Sequence, residues 1–184
     1  MWAKHRQGFT IVELLIVIVV IAILAVITIV AYNGIQTRAE NQKTTSATKE
    51  YIKAFQAYAL DNGAYPTTAG CLGDGYPAPN NRCLAQNGVM ECWGSGGASN
   101  LTTTNALKPY MGNKTAQLSM QQIRCGNTTY VGGYTWYDSG TDQMGVMMTL
   151  RGDQTCPAMS PNVATSSKSF VDDGTRCIYM LSAV

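Results

Sequence analysis

A single carboxylate stands inside the most apolar stretch of this 184-residue chain. Glu13 lies within FTIVELLIVIVVIAILAVITIVAYNGIQ, and from Leu14 to Ala31 no charge follows it and Thr28 is the one hydroxyl. An ionised carboxylate in a membrane segment costs about 2.5–3.5 kcal/mol at a helix centre and less near its end. Such a group is a functional suspect in search of a counter-charge, so its chemistry is ion pairing rather than turnover. Other reactive groups are sparse. Six cysteines, Cys71, Cys83, Cys92, Cys125, Cys156 and Cys177, all follow the apolar stretch, no CxxC pair occurs, and the only histidine is His5. Structural zinc draws its ligands from closely spaced pairs, so no metal site is expected. No glycine-rich phosphate loop follows a strand. Asp172-Asp173, with Asp153, offers hard oxygens for calcium but fits no EF-hand spacing, and as an acid–base pair it is a poor candidate.

Composition narrows the class further. One ordinary domain and an extra element fit this length. Lys and Arg number 13 against 11 Asp and Glu, which leaves no stripe or tail for nucleic acid. Charged residues make up 13% of the chain, against a norm of about 25%, and Asn, Thr, Ser, Gly and Gln fill the surface as in an exported head. Cysteines even in number and confined to one side of an apolar segment imply oxidation outside the cytoplasm. Of the 15 pairings six cysteines allow, the reading takes Cys156 with Cys177 and two bridges among Cys71, Cys83, Cys92 and Cys125.

The N-terminus decides the class. Residues 1–8, MWAKHRQG, are basic at Lys4 and Arg6. The 18 apolar residues from Leu14 to Ala31 rise about 27 Å as a helix, close to the roughly 30 Å hydrocarbon core. The basic residues ahead of the span should stay cytoplasmic and place everything after residue 34 outside. A secretory signal fails, because the run is too long and AYNGIQ is a poor cleavage site. A plain anchor fits the length but leaves Glu13 unexplained.

Gly8, Phe9 and Glu13, the fifth residue after the Gly8–Phe9 bond, all within GFTIVELLIVIVVIAILA, closely resemble the type IV pilin family. The resemblance implies a prepilin, cut by a prepilin peptidase between Gly8 and Phe9 and methylated on the new Phe9 amine. Glu13 would then pair with the Phe9 amine of a neighbouring copy during filament assembly. Physics agrees with that role, since removing one partner of a buried pair costs about 3–5 kcal/mol. Trimming would remove Lys4, His5 and Arg6, leaving 11 basic and 11 acidic side chains. Any Ser-His-Asp or Cys-His constellation would go with the histidine, so neither catalysis nor a cofactor is expected. The implied partners are further copies of the chain, the peptidase, an assembly platform with its ATPase, and the membrane. The implied location is the cytoplasmic membrane, head outside, and then the cell surface. An adhesion, motility or DNA-uptake pilus and a pseudopilin of a type II-like secretion system share this leader. A tethered adhesin that never polymerises is a third reading.

The elements that must position these residues follow an α+β plan: a leader over 1–8, a membrane and filament-core helix over 9–34, its amphipathic continuation over 35–61, and a head over 62–184. Ala47, Tyr51, Phe55 and Tyr58 share one helix face. Asn62-Gly63 and Pro66 end the helix near Asp61. A helix from Phe9 to Asp61 would be roughly 80 Å long. NGAYP also resembles the family, whereas no proline lies between Phe9 and Gln36, a departure from many pilins. Residues 62–113 read as loop, with GDGYPAPNN and WGSGGASN as turns. Residues 114–184 read as a small antiparallel sheet from TTYVGGYTWY, MGVMMTL, RCIYMLS and, fourth, AQLSMQQIRC, with DSGTD as a hairpin turn. Tyr130, Tyr134, Trp136 and Tyr137 crowd one of these strands, core on one face and a contact surface on the other. Arg151-Gly152-Asp153 reads as a hairpin-end turn, and the sequons at Asn100, Asn113 and Asn127 as an Asn/Thr-rich surface.

Overall fold

In a computed structural model, residues 10–76, 83, 92, 101–160, 163 and 165–182 are described. The leader, the 77–81 part of GDGYPAPNN, WGSGGASN and the Asn100 sequon lie outside them. The chain divides into two compact units, Met1–Arg38 and Ala39–Val184. The first unit is the apolar part of helix α1, which runs Ile11–Asn62.

Within the second unit, α1 buries one face. Thr44, Ala47, Thr48, Tyr51, Ile52, Ala54, Phe55 and Ala59 are buried, whereas Lys43, Ser46, Glu50 and Lys53 are exposed; that is the three-and-four spacing of an amphipathic helix. Two of the buried threonines have hydrogen-bond partners: Thr48 donates its hydroxyl to the Thr44 carbonyl at 2.8 Å, and the Thr44 hydroxyl oxygen accepts the N–H of the distant Ser119 at 3.2 Å. At the far end the Gly63 N–H bonds the Ala59 carbonyl at 2.8 Å with φ of 72°, a left-handed cap that a side chain would strain.

Five strands form an antiparallel sheet: β1 Gly70–Cys71, β4 Gly133–Asp138, β5 Gln143–Arg151, β6 Thr165–Val171 and β7 Gly174–Leu181, in the order β1-β4-β5-β7-β6. Met144, Val146, Met148 and Leu150 of β5 join Cys177, Tyr179 and Leu181 of β7 in one core with Tyr51 and Phe55 of α1. Met147, Ile178, Tyr134 and Trp136 face the other way, into a second cluster with Cys71, Tyr76, Cys83, Ile123, Cys125 and Tyr130. The central strand β5 is therefore apolar on both faces. Trp136 stands opposite Gly145, where an added Cβ would come within 2.2 Å of the indole, so only glycine lets the ring lie across the strand.

The single small sheet expected from sequence is divided in two. β2 Ile123–Cys125 and β3 Thr128–Tyr130 form a separate hairpin, so AQLSMQQIRC yields only its last three residues as strand. TTYVGGYTWY breaks at Gly132, whose φ of 67° interrupts extended backbone. The edge strand β6 was not expected at all. The stretch read as loop over 62–113 also contains β1, helix α2 Leu101–Leu107 and a 3-10 turn at Lys108–Met111. Thr103 anchors α2 by donating to the Thr68 carbonyl at 2.7 Å.

Three disulfides close the head: Cys71–Cys83, Cys92–Cys125 and Cys156–Cys177. Their sequence separations of 12, 33 and 21 place the loop-closure stabilisation at about 3–4 kcal/mol each. The first two tie the segment over the far face of the sheet to β1 and β2. The third ties the segment after β5 to β7. A side-chain clamp adds to them: the Asn41 amide donates to the Arg151 carbonyl at 3.0 Å and accepts the Arg151 N–H at 2.9 Å.

Two measurements check this architecture. Asn41→Ala strips both partners from the end of β5, and denaturant unfolding of the detergent-solubilised chain should show a loss of about 1–3 kcal/mol. Burial pushes the Tyr179 phenol up to about 12 and raises Tyr51 and Tyr76 as well. A raised tyrosine adds stability that is complete below its unfolded value, about 10, and is lost as pH rises through the folded one. The head should hold to about pH 10 and unfold between there and about pH 12. Tyrosinate absorbance at alkaline pH should rise together with loss of the β-sheet signal.

Candidate assembly site at the helix start

The expected cleavage pair, Gly8 and Phe9, lies outside the described residues, and the site is visible from Thr10 onward. Thr10 precedes the first helical residue, and its carbonyl accepts the Leu14 N–H at 3.2 Å. Its own N–H and its hydroxyl both donate to Glu13 Oε2 at 2.8 Å, while the Glu13 N–H donates back to the Thr10 hydroxyl at 3.2 Å. This is a reciprocal capping box, which satisfies two of the helix-start donors. An ionised carboxylate has about four lone-pair positions, so the Thr10 contacts do not saturate Glu13. The helix dipole also favours negative charge in the first turn. The sequence reading missed Thr10, although the Thr-x-x-Glu of TIVE before an apolar run is the signature of this cap.

Beyond Glu13 the helix carries an apolar surface with no cover. Every described side chain from Ile11 to Gln36 is exposed. The helix is long and apolar enough to cross a membrane, and its most apolar window is buried nowhere. Thr28 donates its hydroxyl to the Ala25 carbonyl at 2.9 Å, which makes it tolerable in hydrocarbon.

The acidic residues considered for calcium have other partners. Asp172 accepts the Gly126 N–H at 2.5 Å and Asp173 the Arg124 N–H at 2.6 Å, so the β6–β7 turn grips the β2–β3 turn. Asp173 also lies 3.8 Å from Arg151. Asp153 pairs with Lys168 at 2.8 Å. The Arg-Gly-Asp tripeptide closes β5 in a turn with both its charged side chains paired. Among the described residues no group of three or more His, Cys, Asp or Glu is placed to hold a metal. A surface groove of about 440 Å3 is lined by Glu50, Lys53, Tyr110, Met111, Lys114, Thr115 and Ala116, with no His or Cys among them. Of the crowded aromatics, Tyr130 is buried, Tyr134 stacks on Trp136 with centroids 6.1 Å apart, and Tyr137 donates to Asp142 at 2.6 Å.

Residues 3–29 match the family model described as the prokaryotic N-terminal methylation motif. The chain is 37% identical over 68 residues to the type II secretion system core protein G of Aeromonas hydrophila, covering 37% of this chain and 48% of that protein. It is 33% identical over 84 residues to core protein G of Klebsiella pneumoniae, covering 46% of this chain and 60% of that protein. The chain thus spans about half the length of the curated relatives it matches. No solved structure matches it significantly.

The capping box is open to direct test. Thr10→Ala removes the hydroxyl and should cost the helix start about 1 kcal/mol. Amide exchange at Ile11 to Glu13 in micelles should accelerate about fivefold, with no change in the amides of β5. Unchanged exchange at the helix start would show that Thr10 does no capping.

Proposed function

From the premise that this chain carries the prepilin-type N-terminus of the type IV pilin-like proteins, we propose that it is the structural subunit of an extracellular filament. It is stored in the cytoplasmic membrane with its N-terminus inside and its head outside. A prepilin peptidase cuts the Gly8–Phe9 bond and methylates the Phe9 amine. An assembly platform and its ATPase then draw the trimmed chain into a homopolymer or a mixed filament. The observation that carries this reading is Glu13, the one charge in the apolar stretch, held by Thr10 in the first turn of a helix whose described aliphatic side chains up to Ile35 are all exposed.

In this reading the residues divide their work. The surface from Ile11 to Ile35 buries against lipid before assembly and against other copies afterwards. Glu13 accepts the methylated Phe9 amine of a neighbour, which offsets the cost of a carboxylate in low dielectric. The disulfide-closed head stays outside as the filament surface. On this reading the subunit has no catalysis of its own.

A second reading is specifically favoured by the curated relatives, which are named as core protein G of type II secretion systems. On that reading the filament is the short pseudopilus of a secretion machine rather than a surface pilus for adhesion, motility or DNA uptake. The two share the processing, the membrane storage and the role of Glu13.

Mass spectrometry of the membrane-extracted and the polymerised protein tests the proposal. The polymerised form should begin at a methylated Phe9 and contain three disulfides. Glu13→Val should be cut and stay in the membrane, yet reach filaments at a small fraction of the normal yield, at least about tenfold down if the pair is worth the 3–5 kcal/mol typical of a buried one. Normal filaments from that variant, or a working protein that keeps residues 1–8, would overturn it.

A further inference from the structure

We propose that Tyr32 is the outer anchor of the membrane-stored subunit, its ring seated at the lipid headgroup level so that it fixes how deep the helix hangs before assembly. The proposal rests on the reading of the first part of α1 as a membrane span, and it adds which residue sets the depth of that span.

The spacing points to this residue. Glu13 and Tyr32 both belong to the first compact unit and stand 19 residues apart on one helix. At 1.5 Å per residue that is roughly 28 Å, against roughly 30 Å for the hydrocarbon core. With the carboxylate at the inner boundary, Tyr32 comes out at the outer one. It is the only aromatic residue between Thr10 and Ala39. The composition also changes at this point. Ile27 and Ile29 precede it, Asn33, Gly34, Gln36 and Thr37 follow it, and the first charge after Glu13 is Arg38.

The side chain suits the place. Tyr32 is 67% exposed, beside a shallow notch lined by Thr28, Ile29 and Asn33. A tyrosine ring is apolar in its body and polar at its tip, and such rings gather where hydrocarbon meets headgroups. One turn deeper, Thr28 has spent its hydroxyl on the Ala25 carbonyl and fits hydrocarbon. One turn further out, Ile35 is 66% exposed and apolar, so an inward slide is opposed only by the uncharged Asn33 and Gln36 before Arg38, and the Tyr32 ring adds an interfacial hold to theirs.

Labelling from outside reads the depth. All six cysteines are paired, so Gln36→Cys adds the single reactive thiol to the full oxidised chain, reconstituted in phosphatidylcholine vesicles and treated with a membrane-impermeant maleimide. Tyr32→Leu should slow labelling at that position at least about threefold as it sinks toward hydrocarbon, whereas Tyr32→Trp, which keeps an interfacial ring, should retain the parent rate. Equal rates for all three would overturn the proposal. So would a Tyr32→Leu protein that labels normally but polymerises poorly, which would make Tyr32 a contact between copies. A parent chain that alkaline carbonate strips from the vesicles would instead refute the membrane span itself.

Discussion

The strongest constraint on this chain is an apolar helix surface whose described side chains are exposed from Ile11 to Ile35. Sixteen described aliphatic side chains from Ile11 to Ile35 are exposed. Shielding one such side chain from water is worth about 1.5–3 kcal/mol, so leaving them all in water would cost some tens of kcal/mol, more than a domain's whole net stability of about 5–15 kcal/mol. The helix therefore requires lipid or other helices around it at every stage. On the proposed function, residues 1–8 ahead of it and the disulfide-closed head behind it would be the two ends of a segment kept from bulk water.

The head has a different task, and it solves it in layers. Its core is built on both faces of one five-stranded sheet, with α1 on one side and stapled segments on the other. A sheet covered on both faces permits β5 to be almost wholly apolar, with Met147 turned one way and Met148 the other. Among its described residues the second layer has the β2–β3 hairpin, and it is held by covalent and polar ties: two disulfides, the Tyr76 hydroxyl on the Leu72 and Gly133 carbonyls, and the Asp172 and Asp173 grips on backbone N–H groups. Because disulfides act by limiting the unfolded chain, such a layer needs fewer apolar contacts than the helix side. The location proposed for the head, outside the cytoplasm, suits such bonds.

How far the sequence revealed this depends on the kind of signal. The α+β plan, α1 and its glycine stop, β5, β7 and the β4–β5 turn were legible because each rests on a local pattern: an unbroken apolar run, a helical stripe, Asn-Gly before Pro, or a strand bounded by turn residues. β6 was hidden because TSSKSFV is an edge strand with serines where an inner strand would carry valines, and its extended shape comes from pairing with β7. LTTTNAL lies within the stretch read as loop for its turn residues, and although threonines are modest helix formers, burial of Thr103, Thr104 and Leu107 overrides propensity there. The break inside TTYVGGYTWY was marked by its own two glycines. Thr10 was overlooked for a different reason. The role that the resemblance implies for Glu13 lies between copies and specifies no partner within the helix, whereas the Thr-x-x-Glu of TIVE does.

On the proposed function the capping box and the ion pair would be two uses of one carboxylate, and together they would let a nearly featureless helix assemble with a defined register. Lipid tails are as apolar as leucine, so exchanging lipid for neighbouring helices gains little hydrophobic free energy. The aliphatic surface gives adhesion without position, since a slide of one turn replaces one isoleucine or valine with another. Glu13 is the opposite case. It contributes little contact area, but a copy displaced by a turn leaves it unpaired in a low dielectric, at the cost of a broken buried pair. By aiming the carboxylate from the first turn, Thr10 lowers the ordering that pairing would otherwise require. In that proposal register would be set by the one residue that lipid tolerates least, and the same residue would favour leaving the bilayer for a neighbour that supplies a cation.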